Sequence, residues 1–198
     1  MATPVGGSSR KAILEAANRV GEASNDFLRC VTQDGEEQTL ESGQRSFAEE
    51  ERAYQDELLG LAKEVANATA GLVVKAKHLA TQTNLDPEHQ QDVVYAATQT
   101  GLCTSQLVAC TKVLAPTIHQ PTCQQQLSES AREVSVAVEG VVKAARGAGQ
   151  SVYDQQQNLS PEEAAEVNEA VQDVDNAATE VRNTLDRLNA HLLKESVR

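Results

Sequence analysis

The chain has 198 residues, with 29 acidic side chains against 17 Lys and Arg for a net charge of −12, and only 3% aromatic residues with no Trp. That balance excludes a protein built to grip nucleic-acid phosphates or anionic membrane surfaces, because both need clustered Lys and Arg. At 40% hydrophobic content the length allows one sizeable core without a disulfide or metal; with so much of that content as Ala and Val, closely packed helices fit better than a sandwich or a deep ligand pocket.

Ile13, Ala16, Ala17, Val20, Phe27, Leu28 and Val31 recur at helical spacing and predict a first helix, capped by Ser8 or Ser9 and ending near Thr32. Gln33 to about Gly43 carries Asp34-Gly35 and Ser42-Gly43 and reads as a loop. A second helix is expected from Ser46 or Phe47 to about Thr83. Its acidic start, with Glu49, Glu50 and Glu51, reads as a solvated face.

The centre of that helix is an apolar stripe of Leu58, Leu61, Ala62, Val65, Ala66, Thr69, Leu72, Val73, Ala76, Leu79 and Ala80, almost free of aromatic residues. Asn84-Leu85-Asp86-Pro87 then stops one helix and starts the next, with Asp86 as cap and Pro87 in the first turn. The third helix is expected to run to about Ala115. It has no charged residue between Val93 and Thr111, which predicts a helix surrounded by other helices.

After a turn at Pro116 and Gln120-Pro121, a fourth helix carries Leu127, Ala131, Val134, Val138, Val141, Val142 and Ala145, with Gly147 and Gly149 expected to end it. Ser160-Pro161-Glu162-Glu163 has the order of a capping box. A fifth helix follows with Val167, Val171, Val174, Ala178, Val181, Leu185, Leu188 and Leu192. No segment alternates as a strand does, so the fold class is all-α, an up-and-down bundle of five long helices: four in a bundle, with the N-terminal helix as a possible fifth.

The helices share one template. From Leu58, small or apolar residues fall at offsets 1, 4, 5, 8, 9, 12, 15, 16 and 19, and the same offsets from Ile13, Val93 and Leu127 again select small or apolar residues, Thr and Ser among them. Such a pattern is first of all what a helix needs to sit in a bundle core. The Leu58 copy is the most apolar, with one hydroxyl, whereas the Val93 copy has Thr100, Thr104 and Thr111. Buried hydroxyls need partners, so only modest stability is expected.

Cys30, Cys103, Cys110 and Cys123 lack metal-ligand spacing and read as reduced thiols of a cytoplasmic protein. The stretch MATPVGGSSRK has no signal-peptide core, and no segment has transmembrane length without polar residues. Asn67-Ala68-Thr69 fits a glycosylation acceptor by letter but lies in mid-helix. His78, His89, His119 and His191 form no ligand or nucleophile motif and read as solvated or packing residues, and the glycines form no phosphate loop. No cofactor, metal or catalytic residue is expected, and the protein reads as a non-enzyme.

Tyr54 to Lys77 (YQDELLGLAKEVANATAGLVVKAK), Val94 to Leu127 with its TSQLVACTK and APTI, and Ala137 to Val142 (AVEGVV) resemble the talin rod, specifically its second, four-helix bundle. In that resemblance residues 1–43 are the last helix of a preceding bundle and a loop, and residues 44–198 the four-helix bundle. The Met-Ala-Thr-Pro start and the isolated first helix then suggest a fragment of a longer chain.

The resemblance implies a scaffold linking integrins to actin at cell-matrix adhesion sites, with neighbouring rod bundles and the vinculin head as partners, without membrane insertion. It makes Leu58, Leu61, Ala62, Val65, Ala66, Thr69, Leu72, Val73, Ala76 and Leu79 a concealed vinculin-binding stripe, exposed when force opens the bundle. A second, less regular candidate is Val174, Ala177, Ala178, Val181, Leu185, Leu188 and Leu192, interrupted by Arg182 and Asn189. Direct F-actin binding is the alternative, if Lys112, Arg132, Lys143 and Arg146 cluster. A folded platform for short helical ligands is another.

Overall fold

The computed structural model describes residues 40–82, 84–155 and 159–197; the helix expected over Ile13 to Thr32 and most of the loop after it lie outside them. The chain divides into two compact units, residues 1–50 and 51–198. Among the described residues there are four α-helices, α1 Leu40–Ala80, α2 Pro87–Leu114, α3 Pro121–Asp154 and α4 Pro161–Ser196, with a short 3-10 turn Ala115–Thr117 after α2. The described residues form an all-α bundle.

Helix α1 begins several residues before the expected Ser46. Gly43 stays in helical conformation, since no described glycine has positive φ. One glycine costs a helix interior only about 1 kcal/mol, and Glu41, Gln44 and Arg45 beside it are good helix formers. Residues 43–50 are exposed.

Helices α2, α3 and α4 each start with proline, whose missing N–H is one that no helix start can satisfy. The expected capping box is present: the Glu163 N–H donates to Ser160 Oγ at 3.2 Å and the Ser160 N–H to Glu163 Oε2 at 2.9 Å. The backbone bond from Ser160 holds the Glu163 carboxyl below its ordinary value of 4.5. A depressed folded value stabilises above the unfolded value and ceases to as pH falls through the folded one. Glu163→Gln is therefore expected to cost stability at pH 7 and to come nearly level with the parent once the pH has fallen well below 4.5, read as the melting-temperature difference across pH.

Asp86 does not cap α2; no side-chain cap bond forms there. Its Oδ2 accepts instead from Ser151 Oγ at 3.3 Å and Gln155 Nε2 at 3.0 Å, tying the α1–α2 turn to the end of α3. Nor do Gly147 and Gly149 end α3, which continues to Asp154. Ala148 and Val152 are buried, so packing overrides the stop signal. A Cβ on Gly149 would lie 3.2 Å from Val171 Cγ2; glycine here lets α3 and α4 approach.

Residues 51–198 close into a ring of four helices. Thr69 of α1 meets Thr104 of α2, and α2 packs along α3 and α3 along α4. Between α3 and α4 the pairs are Gln124 with Ser196, Glu139 with Arg182 and Arg146 with Asp175. The last seam joins α4 to α1 through Tyr54 with His191, Glu64 with Arg187 and Lys75 with Asp173. Partner numbers fall as residue numbers rise, so neighbours are antiparallel and the topology is up-and-down.

The shared template is the core pattern. From Val93, the residues Ala97, Thr100, Thr104, Leu107 and Thr111 are buried, and from Leu127 so are Ala131, Val134, Val138, Val141, Val142 and Ala145. The expectation that α2 would be surrounded is overturned. Val94, Tyr95, Leu102 and Val113 are 45–73% exposed, so α2 buries one face and turns an uncharged one outward. Freedom from charge marked a tolerated surface here, where Gln, Thr and Ser satisfy water as well as charges do.

Candidate functional site

In α1 the residues Leu58, Ala62, Val65, Thr69, Leu72, Ala76 and Leu79 are each at most 2% exposed. Their steps alternate four and three, the seam spacing that packs the ridges of one helix into the grooves of near-parallel neighbours. The rest of the stripe widens this row on both sides. Leu61 lines the α1–α4 groove with Gly60, Ala190 and His191. Ala66 and Val73 line the α1–α2 groove with Gly101, Ser105 and Val108. A single straight face thus packs on more than one neighbour, and all ten residues of the first candidate are at least partly buried.

The second candidate is also core: Val174, Ala178, Val181, Leu185, Leu188 and Leu192 are buried and Ala177 partly so. Arg182 and Asn189, which interrupt it, line the α3–α4 groove of about 750 Å³, and Arg182 Nε donates to Glu139 Oε1 at 3.0 Å. The interruptions therefore serve the edge of the home interface.

Thr104 Oγ1 donates to Thr69 Oγ1 at 3.1 Å, a buried bond between α1 and α2. The other buried hydroxyls bond within their own helices, Thr100 to the Ala96 carbonyl at 2.9 Å, Thr111 to that of Leu107 at 2.7 Å and Thr184 to that of Val181 at 2.7 Å. Replacing both partners of a buried hydrogen bond by apolar groups of the same shape is neutral or stabilising. Thr69→Val with Thr104→Val is expected to raise the melting temperature by about 2–4 °C, roughly 1 kcal/mol; calorimetry showing a fall would mean that the pair contributes net stability.

The stripe ends against a feature that sequence reading passed over. Tyr54 Oη donates to the His191 carbonyl at 3.0 Å, His191 Nε2 donates to the Tyr54 carbonyl at 3.0 Å, and the two rings stack with centroids 4.0 Å apart. His191 is 4% exposed. Its Nδ1 makes no hydrogen bond and lies 3.6 Å from Glu57 Oε2. Of the other histidines, His78 and His119 are exposed and His89 is half-buried.

Burial pushes the Cys103 thiol up, with help from Glu133, and burial does the same at Cys110 with Cys123 nearby. Both are therefore poor nucleophiles while the bundle is closed. Of the basic residues considered for actin, Lys112 lies apart, whereas Arg132 and Arg146 share the α3–α4 seam. Lys112 lines the α1–α2 groove, Arg132 lines the α3–α4 groove, and Arg146 pairs with Asp175 of α4 at 3.4 Å. Among the described residues no group of His, Cys, Asp or Glu could hold a metal, and no helix is long and apolar enough to cross a membrane.

A ring of long antiparallel helices, cored by Ala, Val and Leu and grooved along its α1–α2, α3–α4 and α4–α1 seams, defines a rod-type bundle. The family model for the talin IBS2B domain matches residues 7–148, and the chain belongs to the talin family as a rod-domain segment. It is 47% identical over 145 residues, 73% of this chain, to mouse talin-2 and to human talin-2, covering 6% and 5% of those proteins. It is 44% identical to chicken talin-1 over 147 residues, 74% of this chain. The chain thus spans about one-twentieth of the length of these relatives.

Proposed function

We propose that this chain is a load-bearing segment of a cytoplasmic scaffold at cell-matrix adhesions, between integrins and actin, in which α1 is a concealed binding helix for the vinculin head. The observation that carries this reading is the burial of its central row, seven residues at no more than 2% exposure. A face already packed on neighbouring helices is available to a partner's groove only after release. Fully burying each large apolar side chain is worth about 1.5–3 kcal/mol, so the home bundle competes strongly with any partner.

Tension shifts that competition. A helix rises about 1.5 Å per residue and an extended chain about 3.3–3.6 Å, so a segment pulled straight more than doubles in length and force favours the open state. The released α1 then adds its stripe to the vinculin head, and α4 is the second, poorer ligand because Arg182 and Asn189 fall on its apolar face. F-actin is the less favoured partner, because a net charge of −12 opposes a surface that needs a basic patch.

The test compares vinculin-head binding to the intact chain, to the peptide Ser46 to Thr83, and to the chain under mild destabilisation. Tight binding by the peptide, weak binding by the intact chain and a gain on destabilisation are expected. Equal affinity of peptide and intact chain would remove concealment from the account.

A further inference from the structure

Resting on that reading, we infer that the reciprocal Tyr54–His191 contact is the latch of α1, and that α1 leaves the bundle from this end first. Three seams of the ring, α1–α2, α2–α3 and α3–α4, are each closed at one end by a connecting turn. The α4–α1 seam has no turn. The chain enters the four-helix unit at Glu51 and the last turn of α4 reaches Ser196; Tyr54 beside His191 places these two points at the same end.

A load carried between them peels α1 from α4 one rung at a time, and among the described pairs of this seam the first rung is Tyr54–His191. The rungs beyond it are Glu64–Arg187 at 2.9 Å and Lys75–Asp173 at 3.7 Å, all four side chains 38–59% exposed. Exposed ion pairs of this kind contribute little. By contrast the latch has two hydrogen bonds and a ring stack, with His191 4% exposed. Each bond runs from the side chain of one residue to the backbone of the other, so neither helix can shift along its partner while both are intact. One helical turn beyond Tyr54, Leu58 opens the candidate binding row. The latch thus sits at the start of the surface it conceals.

Hydrogen exchange on the full chain tests this, comparing Tyr54→Phe/His191→Leu with Val138→Ala, which loosens the α3 core and leaves the latch intact. Loss of the latch is expected to speed exchange roughly tenfold or more at Leu58 to Val65, with the effect falling toward Leu79; Val138→Ala should show no such gradient. Unchanged exchange at Leu58 to Val65, or the same profile in both variants, would overturn the inference. If the double variant does not fold, Tyr54→Phe, which keeps the stack, reads the same gradient at smaller amplitude. His191→Gln, which keeps a donor toward the Tyr54 carbonyl, should restore part of the protection. Vinculin-head binding by the same samples separates the two ideas. A gradient without gain in binding keeps the latch and removes vinculin as the partner, whereas no gradient removes the latch whatever binding does.

Discussion

Leu127→Ala is expected to lower the melting temperature by about 4–20 °C and, at the same time, to strengthen vinculin-head binding by the intact chain. Leu127 is on α3, is fully buried, and lies outside the α1 stripe. Truncating a leucine at such a site costs about 2–5 kcal/mol through lost transfer energy and the cavity left behind, and each kcal/mol moves the midpoint by about 2–4 °C in a chain of this size. The same loss acts on the opening equilibrium. At about 1.4 kcal/mol per factor of ten, even the lower figure raises the open fraction roughly thirtyfold. The apparent affinity of a ligand that takes only the open form rises with that fraction until opening no longer limits it. Titration of the vinculin head against both proteins, beside their calorimetric midpoints, measures this coupling. A lower midpoint with unchanged binding would show that the stripe is reached without opening.

The fold was legible because the core of this bundle is periodic and its turns carry strong signals. Offsets counted from Leu58, Val93 and Leu127 pick out residues that are buried or partly buried in the structure, and Ser160-Pro161-Glu162-Glu163 marks the start of α4 within a residue. The failures have a common cause, which is that packing outweighs local preference. Gly147 and Gly149 spell a stop, but Ala148 and Val152 bury against neighbours and the helix continues. Asp86 has the chemistry of a cap and spends its carboxylate on Ser151 and Gln155, residues 65 and 69 positions away.

The latch was illegible for a related reason. Tyr54 and His191 are separated by 137 residues and each looks ordinary on its own helix. Only closure of the ring, with α1 and α4 antiparallel, brings them together. A single sequence contains the stripe, which is a property of one helix, but not the seam, which is a property of two. For the same reason the uncharged face of α2 could be seen in the sequence while its exposure could not.

Leu72→Glu separates exposure of the stripe from recognition by it. Leu72 is fully buried near the middle of the central row, so a carboxylate there loses the leucine contacts and has no cation paired with it. Burying an unpaired charge is costlier than leaving a cavity, and the bundle should open at least as readily as in Leu127→Ala. If opening alone governed binding, the vinculin head would then bind this variant more tightly. It is expected to bind less tightly, because the same side chain is asked to enter an apolar groove on the partner, and the peptide Ser46 to Thr83 carrying the substitution should lose affinity by about tenfold or more. Val74→Glu supplies the control for register. Val74 is on the same helix but 63% exposed, off the central row, and the charge there is expected to leave both midpoint and peptide affinity nearly unchanged. Equal losses at Leu72 and Val74 would mean that the partner reads helix charge rather than this face. A loss confined to Leu72, together with a gain in Leu127→Ala, requires that one row of side chains serve the closed bundle and the bound partner in turn.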